Sequence, residues 1–430
     1  MLFLAAATCS YAQVPFAFSA SLTNGTFIRS VTIADVNNDG KPDLISVRGN
    51  NNMLYVWTNS GGGIFVSNAS YSVGGFPYQV IAADVNNDGW LDLITANNGG
   101  NSLTILTNDQ HGNFALAQTL PQAASSQPHS VVAADLFGRG RLDLISANSL
   151  TANVTIWTNS GGGIFVSNTS LSVGSPGMTV PQWVTTADVN GDGKMDIIAA
   201  CNNSGTYLFV WTNNGAGGFA SESLPFISSG STCVVAADVN GDGKPDLILD
   251  GGITVLTNNG TGRFGINGTY AIGASAFAIA AADVNGDGVV DLISAIQGNN
   301  TLVVLTNNGS GIFASNTLVN VGSGPESLAV GDVNGDGRID LISGNWNAGS
   351  LTVVTNVSTF LPQLTLKRSS TNMIISWPAV WTAWTLQQNS NLLNQSGWTS
   401  FGGTIGNNGV TKSATNSTSL GNYFFRLSSQ

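Results

Sequence analysis

Short apolar runs recur along this chain, each closed by Gly, Asn, Asp, Ser or Thr. One stretch shows the plan. Val234-Val-Ala-Ala-Asp238 leads into a polar loop, and Asp246-Leu-Ile-Leu249 leaves it. Ile253-Thr-Val-Leu-Thr-Asn258 then ends in a Thr-Asn turn, and a Gly-rich turn and Phe264 open a fourth run. No segment carries the 3.6-residue period of a helix, so the expected elements are strands. Four short strands joined by hairpins make one blade of a β-propeller. A stacked solenoid is the alternative, but solenoid repeats are usually shorter.

The polar loop between the first two strands returns seven times, at intervals of 45 to 53 residues, starting at Asp35, Asp84, Asp135, Asp188, Asp238, Asp283 and Asp332. Its pattern is Asp-x-Asn-x-Asp-Gly-x-x-Asp. Side-chain oxygens at positions 1, 3, 5 and 9, with a carbonyl at position 7, form a donor set for a hard cation such as Ca²⁺. Gly at position 6 permits the sharp turn. The expected ligands are Asp35, Asn37, Asp39, Lys41 and Asp43; Asp84, Asn86, Asp88, Trp90 and Asp92; Asp188, Asn190, Asp192, Lys194 and Asp196; Asp238, Asn240, Asp242, Lys244 and Asp246; Asp283, Asn285, Asp287, Val289 and Asp291; and Asp332, Asn334, Asp336, Arg338 and Asp340. Lys, Trp, Val and Arg at position 7 would contribute only backbone oxygen. Metal-free Asx turns are the simpler alternative, since Asn, Asp and Gly favour turns. Clustered carboxylates repeated in every copy argue for a cation. The third copy departs: Phe137 and Arg139 replace the ligands at positions 3 and 5. Arg139 is expected to pair with Asp135 and Asp143 in place of an ion, leaving about six Ca²⁺ ions in all.

Composition changes the picture in one respect. Of 24 acidic residues the loops hold 20, so the formal charge of -11 is mostly vacant metal ligand. The 13 Lys and Arg form no cluster, which argues against nucleic acid as a partner. A hydrophobic share of 42% is ample for a core. Residues 1–12 read as an apolar signal peptide with a small-residue cleavage site after Ala12, predicting a secreted or cell-surface protein. No later segment is long and apolar enough to span a membrane. Cys201 and Cys233 would then be either a disulfide or two buried thiols.

The seventh repeat has three strands, at Leu328–Asp332, Asp340–Ser343 and Leu351–Thr355, and lacks a fourth. Phe16-Ala-Phe-Ser-Ala-Ser-Leu22 has no repeat of its own and is expected to complete it, closing the ring. The repeats resemble the FG-GAP/VCBS repeats of integrin α-chain propellers and of secreted bacterial proteins. The resemblance rests on Asp-Val-Asn-Gly-Asp-Gly-Lys-Pro-Asp-Leu-Ile at 238–248, its six relatives, and turns such as Thr306-Asn-Asn-Gly-Ser-Gly-Ile-Phe313. It implies a seven-bladed all-β propeller over residues 13–360, with ions at the lower face and ligands at the upper. Residues 362–430 read as a separate β-sandwich-like module of five or six strands, with Trp377, Trp381, Trp384 and Trp398 in its core.

Six residues before each loop stand Arg29, Tyr78, His129, Gln182, Thr232, Phe277 and Glu326, different in every repeat. Arg48, Asn97, Asn148, Cys201, Gly251, Ile296 and Asn345 are expected on the same upper end, with Trp183 and Trp346 nearby. Arg29, Tyr78, His129, Trp183, Glu326 and Trp346 are the candidate ligand-binding residues. Ordinary drift of surface loops is the simpler reading of this variability. No nucleophile elbow, zinc motif or phosphate loop is visible. Asp109 and His111 read as a solvated turn. The function expected is a monomeric, calcium-stabilised binding or adhesion module for carbohydrate or extracellular protein. The alternative is a polysaccharide lyase or hydrolase acting at the upper mouth.

Overall fold

Seven four-stranded antiparallel sheets follow one another along the first four-fifths of the chain. The structure, a computed structural model, describes residues 13–23, 25, 27–174, 180–202, 206–228, 232–272, 276–358, 365–369, 372–378, 384–389, 398–407, 411–417 and 424–429. Two compact units emerge, one of residues 1–284 and 289–357, the other of residues 285–288 and 358–430.

Blades 1 to 7 begin with the inner strands Ile28–Ala34, Pro77–Ala83, Pro128–Ala134, Val180–Ala187, Val234–Ala237, Ala276–Ala282 and Pro325–Gly331. Each inner strand neighbours those of the blades on either side, and that of blade 7 neighbours that of blade 1. The ring is therefore closed. The second strands explain the continuous apolar runs of the sequence: Asp92–Asn97, Asp143–Asn148 and Asp291–Ile296 are buried along their whole length. Hydrophobic clusters lie between adjacent sheets. One joins Val36, Ile45 and Val56 of blade 1 to Val80 and Leu93 of blade 2; another joins Ile28 and Leu44 of blade 1 to Ile342 and Val353 of blade 7.

Phe16–Thr23 pairs antiparallel with Ser350–Asn356 and becomes the outer strand of blade 7, from Phe16 opposite Asn356 to Thr23 opposite Ser350, with a bulge between Phe18 and Ala20. The residue two places before it is also fixed. The buried Val14 donates its amide to Asn316 Oδ1 at 2.7 Å and accepts from Thr317 Oγ1 at 2.9 Å, clipping the start of the chain to blade 6.

The second unit holds a four-stranded sheet (Thr365–Ser369, Asn372–Pro378, Thr411–Ser417, Ile405–Asn407) and a three-stranded one (Thr399–Ser400, Trp384–Asn389, Phe424–Ser429). Seven strands are thus described, where five or six were expected. Trp377 is buried with Ile375, Leu386 and Ala414, and Trp398 is half-buried. Trp381 and the side chain of Trp384 lie outside the described residues. Among the described residues no helix is long and apolar enough to cross a membrane. Cys201 and Cys233 are both buried free thiols, which selects the second of the two readings.

Candidate functional site

At the loop end of the ring, positions 4 and 6 of each loop sit in left-handed backbone. Asn38 and Gly40 have φ of 54° and 80°, and Asn87 and Gly89 have 62° and 86°. This is why position 4 is Asn or Gly in every copy and position 6 is always Gly. In the first loop, Asp35 accepts the amides of Asp39 and Gly40 at 3.1 and 2.8 Å. Asn37 Oδ1 accepts the Asp39 amide at 3.0 Å, and Asp39 Oδ1 that of Lys41 at 2.9 Å. The second and fourth loops repeat the same bonds. In this arrangement no three acidic, His or Cys side chains converge among the described residues.

Position 9 behaves differently. Asp43, Asp92 and Asp340 are fully buried, and burial lifts each carboxyl to about 6; neighbouring loop carboxylates push the same way. Asp43 Oδ1 accepts the Asn59 amide at 2.7 Å, and Oδ2 accepts the Val36 amide at 3.2 Å.

The third loop contains its own cation. Arg139 Nη2 bonds the buried Asp143 Oδ1 at 2.7 Å, with its guanidinium 4.6 Å from the Phe137 ring. Asp135 receives the backbone amide of Arg139 at 2.9 Å instead of its side chain, so the expected two-carboxylate pairing forms with one partner. Arg139 stands where the intact loops carry a position-5 Asp; in four of those the basic residue at position 7 pairs with that Asp instead, Lys41 with Asp39, Lys194 with Asp192, Lys244 with Asp242 and Arg338 with Asp336, at 3.1–3.5 Å. The Arg139 substitution, together with the all-oxygen donor set, fits a hard cation in the intact copies.

The Asn of each Thr-Asn turn is the feature that sequence reading missed. Asn59, Asn108, Asn159, Asn213, Asn258, Asn307 and Asn356 donate Nδ2 to the position-2 carbonyl of the preceding blade's loop: Val333, Val36, Val85, Leu136, Val189, Val239 and Val284, at 2.6–2.8 Å. Each also donates its backbone amide to the position-9 Asp of its own blade at 2.7–2.9 Å. Six of those Asp residues close the link by accepting the position-2 amide of their own loop at 3.0–3.2 Å. In blade 3 the Leu136 amide turns to the Ala134 carbonyl, and Asp143 Oδ2 is left without a well-formed hydrogen bond. The signal was the invariance of Thr-Asn in all seven repeats.

At the opposite end of the inner strands lies a cavity of about 250 Å³. Arg29, Tyr78, His129, Gln182, Thr232, Phe277 and Glu326, one from each blade, line it together with Trp183. Their side chains form a relay. Gln297 Nε2 donates to Glu326 Oε1, and Glu326 Oε2 accepts from Arg29 Nη1 at 2.6 Å. The Arg29 guanidinium lies 3.7 Å from the centre of the Trp346 ring and 4.4 Å from that of Tyr78. The Tyr78 ring stacks on His129 with centroids 4.2 Å apart, and Gln182 bonds the imidazole. Burial, with Arg29 acting in the same direction, lowers His129 to about 4, so the ring is neutral at pH 7. Burial raises the carboxyl of Glu326, and Arg29 works against that rise.

Of the six candidate ligand-binding residues, Arg29, Tyr78, His129, Trp183 and Glu326 line the cavity; Trp346 instead backs Arg29. His129 and Glu326, from blades 3 and 7, are joined through Arg29 and Tyr78. The second expected ring is corrected: Asn97, Asn148, Cys201, Ile296 and Asn345 are buried inside the blades. Asn97 bonds Thr95, Ser102 and Thr104 of its own sheet, so the alternation of the strand turns it inward. Asp250 was not anticipated as part of the site. It is fully buried beside Thr232, accepts the Thr232 and Cys233 amides at 2.6 and 2.9 Å, and also accepts the Thr232 hydroxyl. Asp109 and His111 form an exposed turn closed by their own backbone, as expected.

Solved structures share this fold at low identity. A BBS1N chain in complex with ARL6DN, from a lead-soaked crystal, superposes with a TM-score of 0.59 at 12% identity, covering 81% of this chain and 99% of that one. The mercury-soaked form gives 0.60 at 11% over the same shares. Kuenenia stuttgartiensis hydrazine synthase gives 0.55 at 13%, covering 79% and 98%. No curated protein matches the chain in sequence. The FG-GAP-like repeat model matches residues 35–95, 84–146, 135–199, 188–249, 250–294 and 283–343; all but the fifth match run from one loop to the next. The chain therefore belongs to the FG-GAP-like repeat family and is a β-propeller of that family.

Proposed function

We propose that this propeller is an exported, calcium-stabilised binding module that recognises an extracellular protein through the cavity end of its channel. The observation that carries the reading is the Arg29 cluster. An arginine held between Trp346 and Tyr78 and fixed by Glu326 is pre-organised before any partner arrives. Arg, Tyr and Trp are the residues that dominate protein interfaces when clustered and rigid. Phe27 and Phe277 remain 37% and 38% exposed, giving apolar surface for contact. The BBS1N propeller, bound to ARL6DN, is a protein-binding example of the same fold.

Carbohydrate is the second reading, favoured by the mixture of aromatic and amide groups around the cavity. Catalysis has less support. His129 is neutral and could accept a proton, but its ring is committed to Tyr78 and Gln182. Calcium in the six intact loops would neutralise clustered carboxylates and rigidify the loop end. Six such ions would also bring the net charge near zero.

The test is a panel of extracellular-matrix proteins and a glycan array, probed with wild type and with Phe277→Ala and Tyr78→Ala. Saturable binding to a protein, lost in both variants, is the expected result. Equal binding by wild type and variants overturns the site. Binding confined to glycans selects the second reading. Turnover of a polysaccharide, abolished in His129→Ala, replaces binding with catalysis.

A further inference from the structure

We propose that the asparagines of the Thr-Asn turns, which lock each blade to the loop of the one before it, couple metal binding in one loop to metal binding in the next. This rests on the calcium reading above and adds to it a route between sites. The hydrogen bonds run without interruption from loop 1 to loop 2. The Val36 amide donates to Asp43 within loop 1, and the Val36 carbonyl accepts Asn108 Nδ2 from blade 2 at 2.8 Å. The Asn108 amide donates to Asp92 at 2.9 Å, and Asp92 accepts the Val85 amide at 3.1 Å, which is already inside loop 2. Every group on this path is buried.

Asp43 and Asp92 are both expected metal ligands and members of this hydrogen-bond path. An ion that draws in Asp43 must reposition the Val36 peptide, and Asn108 passes that shift to the backbone bonded to Asp92. The amide of Asn108 is the only side chain on this path between blades, so it is a positioning residue for two loops at once. Buried hydrogen-bonded groups transmit such shifts because leaving one unpaired is costly. The network is weakest in blade 3: the Leu136 amide bonds the Ala134 carbonyl and keeps only a weaker interaction with Asp143, and Arg139 fills the loop. By the short way round, loops 2 and 4 are therefore separated by this weakest link; by the long way they are joined only through loops 5, 6, 7 and 1.

Trp90, at position 7 of loop 2, supplies a site-specific reporter, because its indole sensitises Tb³⁺ bound in its own loop. The full-length protein is titrated with Tb³⁺, and Trp90→Phe identifies the share of emission belonging to loop 2. Asp39→Asn, which removes one carboxylate charge from loop 1, should weaken Tb³⁺ binding at loop 2 by about five-fold or more, the lower end of ordinary coupling between sites. Asp192→Asn, in loop 4, should weaken loop 2 clearly less than Asp39→Asn does. Asn108→Ser should abolish the effect of Asp39→Asn, and Asn108→Asp, which keeps the oxygen acceptor, should do the same if the serine variant fails to fold. Unchanged affinity at loop 2 in Asp39→Asn overturns the coupling while leaving the metal sites intact. Absence of any Trp90-dependent emission overturns the metal reading itself, and the coupling with it.

Discussion

Arg29 and Glu326, 297 residues apart, form an ion pair of 2.6 Å between the first blade and the last. Glu326 is 8% exposed and also accepts from Gln297 of blade 6, so one carboxylate ties three blades at the cavity end. Removing one partner of a mostly buried pair strands the other charge, at a cost of about 3 kcal/mol or more. Glu326→Ala should lower the thermal midpoint by several degrees. A charge-neutral Arg29→Met/Glu326→Met double variant should recover most of the loss. Equal stability of Glu326→Ala and wild type would show that the pair contributes nothing.

Asp250 predicts a pH dependence. Burial lifts its carboxyl from 3.8 to about 6. A carboxyl that binds its proton more tightly when folded stabilises the fold while protonated. Its contribution is therefore fully present below about pH 4 and is lost as pH rises from about 4 to about 6, a change of up to about 3 kcal/mol. Asp250→Asn keeps an oxygen for the Thr232 and Cys233 amides and cannot ionise. The stability difference between variant and wild type should grow in the variant's favour across that window and then level off. Chemical denaturation at pH 4, 5, 6 and 7 measures it, and a flat difference refutes it.

Metal content should follow the loops. Calorimetric titration with Ca²⁺ should count about six sites, and chelation should lower the melting temperature. Replacing Phe137 with Asn and Arg139 with Asp together restores the missing ligands of the third loop and should add one site. Each site stabilises by about 2.7 kcal/mol when calcium is a hundred-fold above its Kd. A melting curve indifferent to chelator would remove calcium from the account of stability.

The lock asparagines should be among the most sensitive positions. Asn307 is buried, donates to the Val239 and Val290 carbonyls at 2.7 and 2.9 Å, and accepts the amides of Gly309 and Gly311. Asn307→Ala leaves several buried groups unpaired and should cost about 3 kcal/mol, whereas Asn308→Ala, exposed in the same turn, should cost about 1 kcal/mol or less. Guanidinium unfolding of the two variants provides the comparison.

Much of this architecture was legible because repetition exposes constraint. The loop period set the blade plan, and the absent fourth strand after Leu351–Thr355 pointed to Phe16–Leu22. The variable position before each loop marked the cavity residues Arg29 to Glu326 for the same reason: where repeats disagree, the shared fold is not choosing the residue. What escaped notice depends on closure in three dimensions. Asn59 meets Val333 only once blade 7 lies beside blade 1, so a turn residue by local chemistry becomes an inter-blade bond by geometry. The relay through Tyr78 and His129 likewise needs neighbouring inner strands at ring spacing, which no linear pattern encodes. Asn97 and Asn148 were assigned to the mouth because the count of residues was right but the side of the strand was wrong.

The outermost strand of the last blade is made before every other described strand of the propeller. Phe16 must wait for Asn356, and Val14 for Asn316, before either finds a partner. Until then a growing chain can assemble blades but not a ring, and it carries an unpaired edge at each end of the arc. Closure is consequently an all-or-nothing event that reports completion of the propeller. A chain cut short anywhere before Ser350 should remain open, sticky and readily degraded, which builds quality control into the order of synthesis itself.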